Sequence, residues 1–227
     1  MHLVVHDLRA PLANVTLALD GLVWRDPGDG PALQMLKIAR ASCQRMMLLI
    51  DSLLDAAALE AGRLSLRPSA VAVDELITTA KEQVSLTASR NRQEIALRCR
   101  AEGLSVRADR EVTARVLVNL LGNAIKFSPP GSRILIDAAA EGDGEVSVVV
   151  ENPGPGIPAP WVARVFDKFS QIEARKAGAA VGSGLGLTFC RLAIEAQGGR
   201  IRVESEVDQS TRVTFTLPRT DRLTDGR

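Results

Sequence analysis

The chain lacks an excess of charge of either sign: 28 Lys and Arg oppose 27 Asp and Glu, leaving a formal net charge of +1. No global field then points to nucleic acid or to an anionic membrane, and any recognition of an anion must be local. Cysteine is scarce. Cys43, Cys99 and Cys190 are far apart, odd in number and without metal spacing, so they read as buried thiols in a reducing compartment. No apolar run reaches membrane-spanning length and no signal peptide opens the chain. The expectation is therefore a cytoplasmic location without direct membrane contact. It is also that the chain is part of something longer, since a functional motif near residue 6 leaves no room for an upstream domain. Tyrosine is absent and aromatics make up only 3%, yet 46% apolar and 24% charged residues are an ordinary globular balance, with disorder confined to the ends.

What is present divides into two textures. Val5, Leu8, Leu12, Val15, Leu19 and Leu22 recur at steps of three and four, the seam of a helix in a bundle. The turn-forming run at 26–31 breaks it. A second stripe follows at Leu36, Ala39, Cys43, Met46, Ile50, Leu53 and Ala57, widened by Met47, Leu54 and Ala61. One hairpin cannot bury two such wide stripes, so two copies are expected to pair into a four-helix bundle, a homodimer through residues 1–61. Gly62 closes the second helix, and the stretch through Pro68 reads as a link. The expected division is a helical hairpin over 1–67, a second domain over 68–219 and a loose tail over 220–227.

Beyond Val73 the pattern is mixed. The spacing predicts helices over 74–90, 109–126 and 188–197, and strands over 94–99, 133–139, 146–151, 199–206 and 211–217. The turn at 141–144 joins two of these strands as a hairpin, so part of the sheet is antiparallel. Together with the hairpin the fold class is α+β, its second domain an α/β sandwich with helices on one face.

The chemistry-bearing residues fall in clusters. Asn119, Asn123 and Lys126 share a helix face, and amide oxygens beside an ammonium suit a Mg-bound polyphosphate. A helix with an ordinary polar face explains the same residues. Two glycine clusters follow, at Asn152-Pro-Gly154-Pro-Gly156-Ile157 and at Gly182-Ser183-Gly184-Leu185-Gly186-Leu187, the second running into an apolar helix. Such turns let backbone N–H groups approach phosphate, although structural glycine turns are common. The first cluster also fits the dinucleotide pattern, but no parallel strand with an acidic end follows about 20 residues on, and no Walker A sequence exists. Near the start, His6-Asp7-Leu8-Arg9-Ala10-Pro11 puts one of only two histidines beside a carboxylate. His2 is four residues from His6, but no third ligand is near, which dismisses zinc.

Residues 112–127, 148–158, 165–170 and 182–199 resemble the N, G1, F and G2 boxes of the histidine-kinase ATP-binding domain, a GHKL ATPase. The stretch from His6 resembles the H box of the same family's dimerisation domain. The resemblance covers nearly the whole chain and implies ATP and Mg2+ as ligands. It further implies that His6 accepts the phosphoryl group, Asp7 is the general base and Arg9 contacts phosphate. A neutral imidazole attacks phosphorus, and a neighbouring carboxylate stabilises the positive character of its protonated nitrogen. Pro11 removes a helical donor and lets the helix bend there.

By the same resemblance Asn123 is the Mg ligand with Asn119 supporting it, Lys126 holds phosphate and Phe127 lines the adenine pocket. Gly154, Gly156, Gly182, Gly184 and Gly186 bracket a mobile lid, with Ile157, Ser183, Leu185 and Leu187 in the same boxes. Phe166 and Phe169 anchor that lid by burial. Thr211 matches the threonine of a late turn motif.

The chain departs from the family at three places. Asn152 stands where an aspartate commonly accepts from the adenine amino group; an amide still offers an oxygen, so ATP affinity is expected to be retained but altered. Ser210 replaces a glycine. Ala10 stands where members that dephosphorylate their partner carry Thr or Asn, which implies a kinase with weak phosphatase activity. The expected activity is ATP-dependent autophosphorylation on His6, then transfer to an aspartate of a response-regulator receiver domain. Two alternatives remain at this point: a catalytically silent dimeric scaffold, and a GHKL ATPase of the gyrase or chaperone type.

Overall fold

The computed structural model describes residues 65–99, 103–142, 144–167 and 186–220, together with residues 12, 15, 16, 19, 36, 37, 39, 40, 43, 47, 50 and 54. The chain divides into two compact units, Met1–Ala61 and Gly62–Arg227. Every described residue of the first unit is helical. Leu12, Leu19, Leu36, Ala39, Met47, Ile50 and Leu54 are half-buried and Cys43 is buried, following the predicted steps of three and four. Val15, on the same predicted seam, is 48% exposed in the single chain, and its neighbour Thr16 turns its hydroxyl back to donate to the Leu12 carbonyl at 3.0 Å. The H box, from His6 to Pro11, and the Gly62 helix end lie outside the described residues.

In the second unit β1 (Ser69–Ala72) runs into α1 (Val73–Arg90), followed by β2 (Glu94–Cys99), β3 (Ser105–Ala108), α2 (Arg110–Phe127), β4 (Arg133–Glu141), β5 (Glu145–Pro153), the single turn α3 (Ala159–Val162), α4 (Gly186–Glu195), β6 (Ile201–Glu206) and β7 (Ser210–Thr220). The predicted hairpin over β4 and β5 is present and antiparallel. Two strands go beyond the sequence pattern. β1 and β3, to which the pattern assigned no strand, are four residues each, too short to show alternation, and they exist because they pair with each other and, through β3, with the end of β7. That pairing also corrects the tail: Thr220 is the last residue of β7, opposite Ser105. The helix predicted over 188–197 is Gly186–Glu195, closed where the Gly199 amide turns back to the Ile194 carbonyl at 3.0 Å.

The seven strands form one mixed sheet in the order β1-β3-β7-β5-β4-β2, with β6 on the edge of β7 that β3 also uses. Among the described residues only β2 and β4 pair in parallel. Partners across a ladder share a face, so the registers define lateral rows. One row is Ala138, Val148, Phe215 and Ile201; the next is Ile136, Val150, Val213 and Val203. All of these are buried or half-buried. Helices α1, α2 and α4 cover this side, α1 packing on α2 and α2 on α4. Residues such as Leu117, Leu120, Leu121, Ile134, Ile136, Phe189, Ile194 and Phe215 are all but sealed from water. Each such aliphatic or aromatic side chain contributes about 1.5–3 kcal/mol relative to exposure.

Candidate functional site

Helix α2 is held at both ends. Asp109 caps its start, one carboxylate oxygen accepting from the Val112 amide at 3.1 Å and the other from the Arg67 amide at 2.8 Å. At its end the buried Gln93 amide nitrogen donates to the carbonyls of Ile125 (3.0 Å), Ser128 (2.9 Å) and Pro129 (3.2 Å). These bonds satisfy carbonyls that a helix terminus leaves without partners. The apolar face, from Thr113 and Ala114 through Ile125, is buried in the core. The face it leaves carries Asn119 and Asn123, both half-buried, and Lys126, whose ammonium stands 4.7 Å from the centroid of the Phe127 ring.

Both glycine clusters reach this helix. A Cβ at Gly186, the first residue of α4, would come 3.2 Å from the Asn119 amide oxygen, whose nitrogen donates to the Arg115 carbonyl at 3.1 Å. Thus the start of α4, the positive end of its helix dipole, faces the middle of α2. At the other end of α2 a Cβ at Gly154 would lie 2.5 Å from the Phe127 carbonyl oxygen, a distance only glycine permits. The turn after β5 is therefore pressed against the end of α2 because residue 154 has no side chain.

The same turn is fastened to the β6–β7 turn. Gly154 donates to the Gln209 carbonyl at 3.0 Å, Asp208 to the Pro155 carbonyl at 2.9 Å, and Ile157 to the Ser205 hydroxyl at 2.8 Å. Gly156 has φ +67, and a Cβ there would overlap the Glu206 carbonyl oxygen. Ser205 Oγ lies 2.8 Å from the Ser210 carbonyl and 2.9 Å from Thr211 Oγ1. In register, Asn152 faces Thr211 and Thr211 faces Ser205. The apolar rows of the helix side thus end in a polar row, Asn152, Thr211 and Ser205, beside Phe127 and Gly154. Asn152 is 7% exposed and donates its amide nitrogen to the Pro153 carbonyl at 3.0 Å. Ser210, in place of the glycine, is accommodated without strain: among the described non-glycine residues only Arg92 and Asp208 have positive φ.

Phe166 is buried, its carbonyl accepting from the Thr188 hydroxyl of α4 at 2.9 Å, and Leu187 is buried beside it in sequence. Behind the site, Cys190 is fully buried and its thiol is pushed up by loss of solvent; Arg115 stands 4.5 Å from the centroid of the Phe189 ring. Among the described residues no group of three or more His, Cys, Asp or Glu side chains gathers as a metal cage.

The structure therefore brings together Asn119, Asn123, Lys126, Phe127, Asn152, Gly154, Gly156, Ile157, Gly186 and Thr211 around α2 and the polar row. Gly182, Ser183, Gly184, Leu185, Phe169, His6, Asp7 and Arg9 lie outside the described residues. Sequence reasoning missed Ser205 and Gln93. Ser205 was legible only through the register of the β6–β7 hairpin, which places it opposite Thr211; nothing local marks Gln93.

Comparison with known proteins assigns both units to a family. The family of histidine kinase-, DNA gyrase B- and HSP90-like ATPases matches residues 108–221, and the His Kinase A (phospho-acceptor) domain matches residues 2–62. The alginate biosynthesis sensor protein KinB of Pseudomonas aeruginosa is 31% identical over 94% of this chain and 35% of its own length. Sensor histidine kinase WalK of Bacillus subtilis is 26% identical over 95% of this chain and 35% of its own. The chain thus spans about a third of the length of these two relatives. The crystal structure of full-length ShkA in complex with AMPPNP superposes with a TM-score of 0.80 at 27% identity, covering 96% of this chain and 45% of that one. The catalytic domain of histidine kinase ThkA gives 0.59 at 27% identity over 67% of this chain and 95% of its own. No helix among the described residues is long and apolar enough to cross a membrane. With a phospho-acceptor domain followed by an ATPase domain of this kind, the chain belongs to the sensor histidine kinases of two-component systems.

Proposed function

We propose that this chain is the catalytic core of a protein histidine kinase that phosphorylates itself on His6 and passes the group to an aspartate of a response-regulator receiver domain. The observation that carries the reading is the convergence of Asn119, Asn123 and Lys126 with Asn152, Gly154 and Thr211, in a chain whose other unit matches a phospho-acceptor domain. The donor set fits Mg-ATP. Neutral amide oxygens suit a cation that keeps waters and phosphate oxygens, so no carboxylate cage is required. ShkA, solved with AMPPNP, supports a nucleotide in this fold.

Mg-ATP supplies the phosphoryl group. Asn123 would hold the cation with Asn119 behind it, Lys126 would neutralise phosphate charge, and Phe127, Asn152 and Thr211 would hold the base. By the family resemblance, Gly182 through Gly186 would bracket a lid over the nucleotide. His6 attacks the γ-phosphorus through a neutral ring nitrogen, the N–P bond forming as the bond from that phosphorus to the β–γ bridging oxygen breaks and ADP leaves. Asp7 stabilises the positive character of the other, protonated nitrogen, and Arg9 contacts the transferred group. Catalysis is positioning and charge neutralisation. Val15, half-exposed on the seam of a helical hairpin, supports a second copy covering that seam, and the buried free thiols Cys43 and Cys190 support a reducing cytoplasmic location.

Incubation with γ-labelled ATP and Mg2+ tests the reading. It expects acid-labile, base-stable label on the parent, none on His6→Ala, and at least tenfold weaker ATP binding in Asn152→Ala. A parent that stays unlabelled overturns it.

A further inference from the structure

The hydroxyls at the end of the helix-side face have proton directions that follow from counting. Ser205 Oγ receives the Ile157 amide at 2.8 Å, lies 2.8 Å from the Ser210 carbonyl oxygen and 2.9 Å from Thr211 Oγ1. A serine hydroxyl has one proton and two lone pairs. The Ser210 carbonyl can only accept, so the Ser205 proton goes there. Ile157 occupies one lone pair, and Thr211 must then donate to the other. If Ser205 gave its proton to Thr211 instead, two oxygens would face each other at 2.8 Å with nothing between them. Thr211 is thereby left with lone pairs alone for any further partner.

Asn152, opposite Thr211 in the ladder, is oriented by a comparable constraint. Its nitrogen is identified by the bond to the Pro153 carbonyl at 3.0 Å, which leaves its oxygen as the other end of the amide. Thr211 and Asn152 therefore both present acceptors, although neither residue carries charge. Only the Thr211 acceptor depends on a neighbour's hydroxyl.

Building on the nucleotide reading above, we infer that Ser205 is a positioning residue that sets the hydrogen-bond polarity of the base site. With its proton committed, Thr211 takes an exocyclic amino group, as on C6 of adenine, and opposes a carbonyl, as on C6 of guanine. Without Ser205, the Thr211 hydroxyl turns and can donate to that carbonyl. Buried polar groups facing the wrong partner are what make such sites selective.

Calorimetric titration of the full chain with Mg-ATP and with Mg-GTP tests this. The parent should prefer ATP. Ser205→Ala should narrow the ATP-to-GTP affinity ratio about tenfold, the scale of one redirected hydrogen bond, and Ser205→Thr should restore it. A parent that prefers ATP with a Ser205→Ala ratio unchanged, or with both nucleotides weakened equally, overturns the inference alone. A parent that binds neither nucleotide overturns the nucleotide reading and the inference with it. If Ser205→Ala does not fold, Thr211→Val replaces it: the ratio should narrow there too, and an unchanged ratio overturns the inference.

Discussion

Two neighbouring rows of the sheet use the same strands to opposite ends. Asn152, Thr211 and Ser205 lie on the helix side; one residue back or forward, Glu151, Arg212 and Glu204 pair across the same ladders on the other side. The first row is neutral and shielded, and its hydroxyl and amide groups make hydrogen bonds of defined direction. The second is charged and wet, and with Arg98, Leu135, Asp137, Val149, Arg202 and Thr214 it lines a shallow groove of about 230 Å³. Arg212 donates to Glu151 there at 2.8 and 3.2 Å, which raises the Arg212 pKa, foremost through that hydrogen bond. Low dielectric makes a misdirected hydrogen bond costly, whereas water screens a misplaced surface charge. Specificity should therefore reside in the uncharged row, and the charged row should be nearly dispensable.

The largest break comes from the backbone that seats the neutral row. Gly156→Ala forces a side chain to φ +67 and into the Glu206 carbonyl, so the turn must move. A loss of about 2–4 kcal/mol in chemical denaturation is expected, together with loss of ATP binding. Gly142→Ala is the control, having φ +60 with open space around it. It should cost about 1 kcal/mol and leave binding unchanged. Equal effects in the two variants would show that the clasp between the turns does not matter.

The same contrast explains what could be read from sequence. The long elements were legible because α2 has eight buried positions at helical spacing, β5 alternates over its nine residues and β4 over its first seven. Strands β1 and β3 were not, since four residues carry no period and their stability comes from pairing with distant chain. Asn119, Asn123, Lys126 and the glycine turns were legible because their spacing is local. Ser205 was illegible because its role depends on three partners at 157, 210 and 211, fixed only once the ladder register exists.

A smaller effect sharpens the claim that the helix side is dry. Cys190 is buried and its thiol is pushed up, foremost by loss of solvent. Below the ordinary thiol range folded and unfolded states both hold the proton, so stability is unaffected. As pH rises past about 8.5 the unfolded state gives it up and the folded state does not, so stability falls by about 1.4 kcal/mol per unit. Denaturation between pH 8 and 10 should show this slope in the parent and a shallower one in Cys190→Ala. An equal slope in both would place water beside that thiol.

The smallest effect belongs to the charged row. The Arg212 side chain is 48% exposed and Glu151 29%, so their attraction is discounted for screening despite two contacts to one carboxylate oxygen. A double-mutant cycle with Arg212→Met and Glu151→Gln should give a coupling of about 0.2–1 kcal/mol, vanishing in concentrated salt. ATP affinity should not change in any member of the cycle. Methionine keeps the aliphatic cover that Arg212 lends the sheet while removing its charge, so a larger, salt-resistant coupling could not be assigned to lost packing. It would mean that the wet row is as directional as the dry one, and that the two sides of the sheet differ in polarity without differing in the work they do.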